Sequence, residues 1–218
     1  MASQSEENYL KALFHLSSGK DEVNVSELSA TLGVSKPSAN SMVKNLQQQG
    51  LVNYQKYKPL TLTEEGKKAA ALVVRKHRLT EMYLVEKMGF GWEEVHEIAE
   101  QVEHIDSPDF FARMDEILEF PTEDPHGSPI PDAEGKVKRQ LYKPLSKCNA
   151  GEKVRLGALS ASSSEFLNFL NTRDISLGMW MTIQAVEAFD GSMIVSYDGH
   201  MRETLSKSVC DRLLVEEE

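Results

Sequence analysis

The chain has 218 residues, of which 40% are hydrophobic and 27% are charged, and its formal net charge at pH 7 is −10. These proportions are typical of a soluble globular protein. No apolar stretch is long enough to form a helix that crosses a bilayer, so a membrane-spanning helix is not expected. The polar start MASQSEENYL predicts no signal peptide, and two cysteines, Cys148 and Cys210, are too few for a disulfide framework, so a cytoplasmic location is expected.

The charges are divided unevenly along the chain. Residues 1–78 contain eleven Lys and Arg against seven Asp and Glu, whereas residues 92–134 contain fourteen Asp and Glu against one arginine, Arg113. A basic segment can approach phosphate, and an acidic segment attracts divalent cations. The first part of the chain is therefore a candidate for nucleic-acid binding, and the middle part is a candidate for metal binding.

The first predicted elements form a helix-turn-helix. An apolar repeat at helical spacing ends at Ser17-Ser18-Gly19 and predicts the first helix. Ser26 is expected to cap a second, short helix, and Gly33 permits the tight left-handed turn that follows it. Ser35 is expected to cap the next helix, which has Pro37 in its first turn. The apolar positions of the first helix are Tyr9, Leu10, Leu13, Phe14 and Leu16.

A small β wing is predicted after the helix-turn-helix. The segment NYQKYKPLTLT alternates in the manner of strands around Tyr54 and Tyr57. Its tip carries Lys56, Lys58 and Pro59, so the wing is basic. A basic wing beside a helix-turn-helix favours contact with the nucleic-acid backbone.

The helix from Pro37 to Gln49 separates its residues by face, with Ala39, Met42, Val43 and Leu46 inward. Small hydroxyl and amide side chains on its outer face suit base edges, whereas lysines and the free N–H groups at the helix start suit phosphates. With the basic wing, this pattern favours DNA binding over the alternative of an ordinary polar helix surface. The predicted DNA-contacting residues are Ser35, Lys36, Pro37, Ser38, Asn40, Ser41, Lys44, Lys56 and Lys58.

Metal-donor side chains recur at helical spacing in two segments. One helix is predicted to carry His96, Glu100, Glu103 and His104 on a single stripe, at offsets of zero, four, seven and eight. Nineteen residues upstream of His96, His77 and Glu81 form an i, i+4 pair that could close a cage of nitrogen and oxygen ligands. A solvated acidic helix with a chance histidine is the alternative for either pair alone. Two such segments together favour a metal site.

The remaining chain predicts a linker and a small β domain. Residues 121–149 contain five of the eight prolines and no convincing periodic element, which indicates a domain boundary. The tail then alternates short strands around glycines and contains one helix with a serine cap in SSSEFLNFLNTRDI. This pattern predicts a small β-barrel with one helical insertion.

Motifs over nearly the whole length carry a family resemblance. They are ENYL, S-K-P-S, LT-x-x-G, RKHRL-x-E, VH-x-x-A-x-x-x-EH and the linker FPTEDPHGSPIP. In these motifs, the chain resembles the diphtheria-toxin-repressor and manganese-transport-regulator family of bacterial metal-dependent repressors. The resemblance implies a mainly α protein with a small β part. The implied domains are a winged helix-turn-helix (1–64), a helical dimerisation and metal-binding domain (65–120), a linker (121–149) and an SH3-like β-barrel (150–218).

The resemblance also implies two metal sites. The primary site corresponds to Asn8, Glu100, Glu103 and His104. The second site corresponds to His77, Glu81 and His96, with further ligands from the linker or the C-terminal domain. Candidates for those further ligands are Asp124, which stands where many relatives have cysteine, and Glu165, for which a helix-capping role is an alternative.

Two positions of the implied primary site bear on the metal. Relatives that sense manganese commonly have aspartate at position 8 and relatives that sense iron have methionine, whereas this chain has Asn8. Position 100 is glutamate, as in manganese sensors, rather than the cysteine of iron sensors. Carboxylate, amide oxygen and imidazole ligands without thiolate favour Mn(II), with Fe(II) as the alternative.

The predicted function is a homodimeric transcriptional repressor that binds a palindromic operator in double-stranded DNA when its metal sites are filled. It is not predicted to be an enzyme, to contact a membrane or to take a small organic substrate. A metal-dependent enzyme would need an open coordination position and a separate base or nucleophile, and a metal buffer would leave the helix-turn-helix without a role. The other histidines, His15, His126 and His200, are expected to be structural.

Overall fold

The structure of the protein, a computed structural model, describes residues 3–56, 58–138 and 140–217. It contains two compact units, each assembled from stretches that are separated in the sequence. The first unit comprises Met1–Tyr83, Glu97–Thr122 and Ile130–Lys138. The second unit comprises Leu84–His96, Glu123–Pro129 and Arg139–Glu218.

The first unit begins with the predicted helix-turn-helix. Its helices are α1 (Gln4–Leu16), α2 (Val25–Thr31) and α3 (Lys36–Gln48). Ser35 caps α3, because its hydroxyl accepts the backbone N–H of Ser38 at 3.2 Å, and Gly33 supplies the left-handed turn with a φ of 63°. The prediction that Ser26 caps α2 is wrong. The helix begins at Val25 with Asn24 as its N-cap, and the Ser26 carbonyl instead accepts the hydroxyl of Ser29.

The predicted wing follows α3. Strands β1 (Val52–Asn53) and β2 (Thr61–Leu62) pair antiparallel, with Val52 opposite Leu62. Tyr57, which the sequence places in this wing, lies outside the described residues. The wing and the three helices share one apolar core, in which three of the four predicted inward positions of α3 are fully buried and the fourth, Met42, is partly buried. The central buried residues are Leu10, Leu13, Leu28, Ala39, Val43, Leu46, Val52 and Leu60.

The long helix α4 (Glu64–Met88) follows the wing directly. Thr63 caps its first turn by accepting the backbone N–H of Gly66 at 3.0 Å. Gly66 is required for close approach, because a Cβ at this position would come within 1.9 Å of the carbonyl oxygen of Leu51. The close approach of the Gly66 backbone to the carbonyl of Leu51 sets where α4 leaves the helix-turn-helix.

The helix that was predicted to carry four metal donors is shorter than expected. Helix α5 (His96–Val102) carries His96 and Glu100, whereas Glu103 and His104 lie in the turn that follows it. The chain must leave α5 here because α6 (Pro108–Ile117) starts only a few residues later, with Ser107 as its N-cap and proline in its first turn. The backbone N–H of Glu103 still bonds to the carbonyl of Ala99 at 2.9 Å, so Glu103 keeps a helical position.

The second unit is built around a six-stranded antiparallel sheet with the order β3-β8-β4-β5-β6-β7. Helix α7 (Ser164–Asn171) has a serine cap, as predicted, and the structure identifies the capping residue as Ser163. Helix α8 (Lys207–Cys210) precedes the last strand. The strands are β3 (Lys143–Pro144), β4 (Lys153–Leu159), β5 (Trp180–Val186), β6 (Met193–Tyr197), β7 (His200–Leu205) and β8 (Leu213–Glu217).

The predicted fold class, a helical N-terminal part with a small β domain, is confirmed. The sheet differs from the predicted barrel in one respect. Among the described residues it is open, because β3 and β7 are its two edges and do not pair with each other. No helix in the described part of the chain has the length and apolar character needed to span a membrane.

Candidate metal centre and nucleic-acid interface

The candidate metal centre of the first unit collects side chains from three parts of the chain. Helix α4 contributes His77 and Glu81, and α5 with its following turn contributes Glu100, Glu103 and His104. Helix α1 supplies a third set from the helix-turn-helix, which is Glu7, Asn8 and Lys11. The centre therefore includes residues of the helix-turn-helix.

A buried chain of hydrogen bonds runs through the imidazole of His77. Its Nδ1 lies 2.6 Å from Oε2 of Glu103, and its Nε2 lies 3.0 Å from Oε1 of Glu81. All three side chains are buried, and Glu103 is fully inaccessible. Burial lowers the pKa of His77, but the hydrogen bonds to the two carboxylates outweigh it and raise the pKa from 6.5 to about 9. The ring is therefore protonated near neutral pH in the arrangement that the structure describes.

Lys11 brings a second cation to Glu103. Its Nζ lies 2.9 Å from Oε2 and 2.7 Å from Oε1 of Glu103, and it donates to Oε1 of Glu100 at 2.6 Å. Burial raises the pKa of the Glu103 carboxyl, but the hydrogen bonds from His77 and Lys11 outweigh it, so the pKa is lower than the usual 4.5. Glu103 is therefore an ionised carboxylate at the centre of the cluster.

His104 faces α1 through Glu7. Its Nδ1 lies 2.6 Å from Oε2 of Glu7, whose Oε1 accepts a hydrogen bond from Lys76 at 3.0 Å. The Nε2 of His104 lies 3.6 Å from Oε1 of Glu103. The sequence patterns predicted neither Glu7 nor Lys11 at this centre. Their i, i+4 spacing on either side of Asn8 was the available signal.

The side chains present fit a divalent cation. One donor atom each from His77, Glu100 and Glu103 lie within 4.8 Å of one another. One buried oxygen, Oδ1 of Asn8, accepts no hydrogen bond from any residue that the structure describes, and Oε1 of Glu103 is paired with the ammonium of Lys11 at 2.7 Å. Buried polar oxygens are normally satisfied, and such oxygens beside carboxylates and imidazoles are suitable metal ligands.

The other predicted ligands, His96, Asp124 and Glu165, lie in the second unit. His96 is exposed at the first residue of α5, and Glu165 is exposed in the first turn of α7. Asp124 is buried, and its Oδ1 accepts the backbone N–H groups of His126 and Ser128 at 2.8 and 2.9 Å. The Asp124 carboxylate thus helps to close the turn at residues 124–128.

His126, which the sequence analysis treated as structural, is also buried in the second unit. Its Nε2 lies 2.9 Å from the carbonyl oxygen of Trp92, and its ring stacks on the Trp92 indole. Its Nδ1 lies 4.0 Å from Oδ1 of Asp124. The turn therefore places an imidazole nitrogen beside a carboxylate, in addition to the structural contacts.

The predicted DNA-contacting face of α3 is exposed. Ser35, Lys36, Pro37, Ser38, Ser41 and Lys44 are all exposed, as are Lys56 and Lys58 of the wing. Asn40 differs, because its amide donates to the carbonyl of Lys36 and accepts the hydroxyl of Tyr54, both at 2.9 Å. Tyr54 thus joins the wing to α3.

A cleft of about 440 Å³ lies between α3 and the wing. Three lysines that the sequence analysis assigned to phosphate contacts line it. They are Lys44, Lys56 and Lys58. A positively charged groove beside an exposed polar helix is the arrangement that binds a nucleic-acid backbone.

Comparison with known proteins agrees with this arrangement. Residues 1–60 match the family described as "Iron dependent repressor, N-terminal DNA binding domain", and residues 63–132 match "Iron dependent repressor, metal binding and dimerisation domain". A solved structure described as "Manganese-dependent transcriptional repressor complex with manganese" is 32% identical, with a TM-score of 0.87, and the alignment covers 98% of this chain and 100% of that one. The chain belongs to the iron-dependent repressor family.

Relatives within this family differ in how much they share with the chain. The iron-dependent repressor IdeR of Mycobacterium tuberculosis is 38% identical over 129 residues, which are 57% of this chain and 54% of that protein. The chain thus matches about half the length of this relative. The diphtheria toxin repressor of Corynebacterium efficiens is 27% identical over 91% of this chain and 90% of its own length.

Proposed function

We propose that the protein is a metal-dependent transcriptional repressor that binds a palindromic DNA operator as a homodimer. The observation that carries this proposal is the junction between α1 and the candidate metal centre. Lys11 and Glu7 of the helix-turn-helix contact Glu100, Glu103 and His104 directly. Metal binding at these carboxylates would therefore act on the DNA-binding fold through α1.

The proposed primary site comprises Asn8, Glu100, Glu103 and His104. The contacts add His77 to this group, because its Nδ1 lies beside Glu103. The proposed second site comprises His77, Glu81 and His96, with Asp124 and Glu165 as further ligands. His77 would then be the residue through which occupancy of either site affects the other.

Mn(II) is the proposed activating ion, and Fe(II) is the alternative. Carboxylate, amide and imidazole ligands without sulfur suit Mn(II) first and Fe(II) next. Relatives of both kinds exist in the family, since one neighbouring structure is described as a complex with manganese and IdeR is described as iron-dependent. The Glu100 carboxylate supports manganese, because it adds a hard oxygen donor.

The metal would supply two positive charges between α1 and the turn after α5. The protein's residues then have separate tasks, in which Glu103 and Glu100 provide charge, Asn8 provides a neutral oxygen from α1, and His104 provides nitrogen. Fixing α1 against α5 would set the separation of two α3 helices in a dimer near one turn of B-DNA, about 34 Å. Metal and operator must then strengthen each other's binding.

The proposed domain organisation assigns DNA contact to residues 1–64, metal binding and dimerisation to 65–120, a linker to 121–149 and an accessory β domain to 150–218. In DNA, the lysines of α3 and the wing would contact phosphates. Ser38, Asn40 and Ser41 would face base edges. Repression of chromosomal genes implies a cytoplasmic location, and the proposed activity requires no catalytic residue.

The test is selection of bound sequences from a pool of random DNA duplexes in the presence of Mn²⁺, followed by gel retardation under anaerobic conditions. We expect one palindromic sequence to be retarded with Mn²⁺ or Fe²⁺ and not with a chelator, with Mn²⁺ acting at the lower concentration. The Glu103→Gln variant is the control and should not respond. Equal retardation with the chelator present would reject metal dependence, and hydrolysis of a substrate without DNA binding would favour an enzyme.

A further inference from the structure

The ammonium group of Lys11 occupies the space between the two carboxylates of the candidate metal centre. It lies 2.6 Å from Oε1 of Glu100 and 2.7 Å from Oε1 of Glu103. The Lys11 side chain is 11% exposed although lysine normally extends into solvent. Burying this long cation is costly unless carboxylates pair with it, so its place in the cluster is specific.

A divalent cation would need the same carboxylate oxygens. Metal–oxygen bonds of about 2.0–2.6 Å would bring an ion that binds both Glu100 and Glu103 into the region that Nζ occupies. Two cations so close together repel strongly, and the repulsion is greatest where water is excluded, as at Glu103. The ion and the Lys11 ammonium therefore cannot both hold these oxygens.

We propose that Lys11 is a built-in competitor of the activating metal and sets the ion concentration at which the protein responds. In the metal-free protein, Lys11 compensates the charge of Glu100 and Glu103. Binding of the ion exchanges this ammonium for the metal. The inference rests on the proposed function only for the statement that the ion activates DNA binding, and the exchange itself concerns metal affinity alone.

The exchange also has a structural consequence. Lys11 lies on α1, so its two ion pairs hold the helix-turn-helix against α5 and its following turn in the first unit. The metal would replace this tie with bonds to a different residue of α1, Asn8, whose buried Oδ1 accepts no hydrogen bond among the described residues. Asn8 and Lys11 lie three positions apart on α1 and therefore project from the same face, so the metal can take over the tie to this helix when the ammonium leaves.

The experiment measures Mn²⁺ affinity of the full-length protein by competition with a fluorescent chelator. In Lys11→Met, which keeps the length and removes the charge, we expect Mn²⁺ to bind tenfold or more tightly than in the unchanged protein. Lys11→Arg keeps the charge and should not bind more tightly. Lys20→Met is the matched control, since Lys20 also pairs with a glutamate, Glu27, but at an exposed position.

Melting temperatures separate this competition from a loss of folding. Lys11→Met should melt lower than the unchanged protein in chelator and should recover with Mn²⁺, because the ion replaces the missing charge. An unchanged or weaker Mn²⁺ affinity in a folded Lys11→Met would overturn the inference. Should Lys11→Met stay unfolded even in Mn²⁺, the shorter Lys11→Gln takes its place. If Lys11→Gln folds and binds Mn²⁺ no more tightly than the unchanged protein, the inference is likewise overturned.

The same measurements distinguish this inference from the proposed function. Tighter Mn²⁺ binding in Lys11→Met without any metal effect on DNA binding would keep the competition and reject the repressor mechanism. If DNA binding depends on metal but the unchanged protein and Lys11→Met bind Mn²⁺ with equal affinity, the repressor mechanism stands and the competition is rejected. Failure of both the unchanged protein and Lys11→Met to bind Mn²⁺ would overturn the competition and the proposed function together.

Discussion

The Nδ1 of His77 lies 2.6 Å from Oε2 of Glu103, which joins α4 to the turn after α5. This contact is buried, and Glu103 also pairs with Lys11 of α1. Three segments that are distant in sequence therefore meet at one carboxylate. Stability of the metal-free protein and affinity for a metal ion must both depend on the charge of Glu103.

Glu103→Gln should lower the free energy of unfolding of the metal-free protein by about 3 kcal/mol, because the buried His77 and Lys11 lose the carboxylate that they share. The same change should abolish Mn²⁺ binding at the primary site. Urea unfolding in chelator and a Mn²⁺ titration measure the two effects. Glu116→Gln is the control, since the ion pair between Glu116 and Arg113 is exposed. If Glu116→Gln lost as much stability as Glu103→Gln, the account would be contradicted.

The stability of the metal-free protein should fall as the pH rises from about 6.5 to about 9. The pKa of His77 is raised from 6.5 to about 9 in the folded state, so its contribution is complete below pH 6.5 and lost as the ring deprotonates. The contribution is about 3 kcal/mol. Unfolding in chelator at several pH values should show this slope, and His77→Gln should remove it. An equal slope in both proteins would refute the assignment.

Asn8→Asp should tighten Mn²⁺ binding, by about tenfold, because a carboxylate adds charge to an oxygen that is buried and has no hydrogen-bond donor among the described residues. Calorimetry of Mn²⁺ binding gives the affinity directly. The exposed Asn53→Asp serves as control for added negative charge. If Asn8→Asp binds Mn²⁺ no better than this control, Asn8 is not a ligand.

The sequence predicts local features of the fold well. The cap at Ser35 and the buried face of Ala39, Val43 and Leu46 follow from patterns within one or two helical turns, and the structure contains both. The pair His77 and Glu81 likewise follows from i, i+4 spacing. Such features depend on neighbouring residues, so helical periodicity is enough to find them.

The parts that the sequence did not predict depend on contacts between distant residues. Lys11 and Glu100 are 89 positions apart, and Glu7 and His104 are 97 positions apart. Periodicity in one helix carries no information about the charge that a second helix will bring to it. The end of α5 before Glu103 was missed for a similar reason, because the start of α6 at Ser107 decides where the chain turns.

Lys44→Ala and Lys58→Ala should each weaken binding to every duplex and reduce the slope of log affinity against log salt by about one. Both lysines line the cleft between α3 and the wing. Asn40→Ala should instead change base preference at one position. Fluorescence anisotropy at several salt concentrations checks the slopes, with the exposed Lys147→Ala in the second unit as control. Equal slopes in all variants would contradict the assigned DNA interface.

The most direct test of the central claim is the affinity for Mn²⁺ measured with and without the selected operator duplex. Because α1 belongs both to the DNA-binding fold and to the candidate metal centre, each ligand should favour the arrangement that the other binds. We expect the operator to tighten Mn²⁺ binding by the same factor by which Mn²⁺ tightens operator binding. The same Mn²⁺ affinity in the presence and absence of operator would contradict the account.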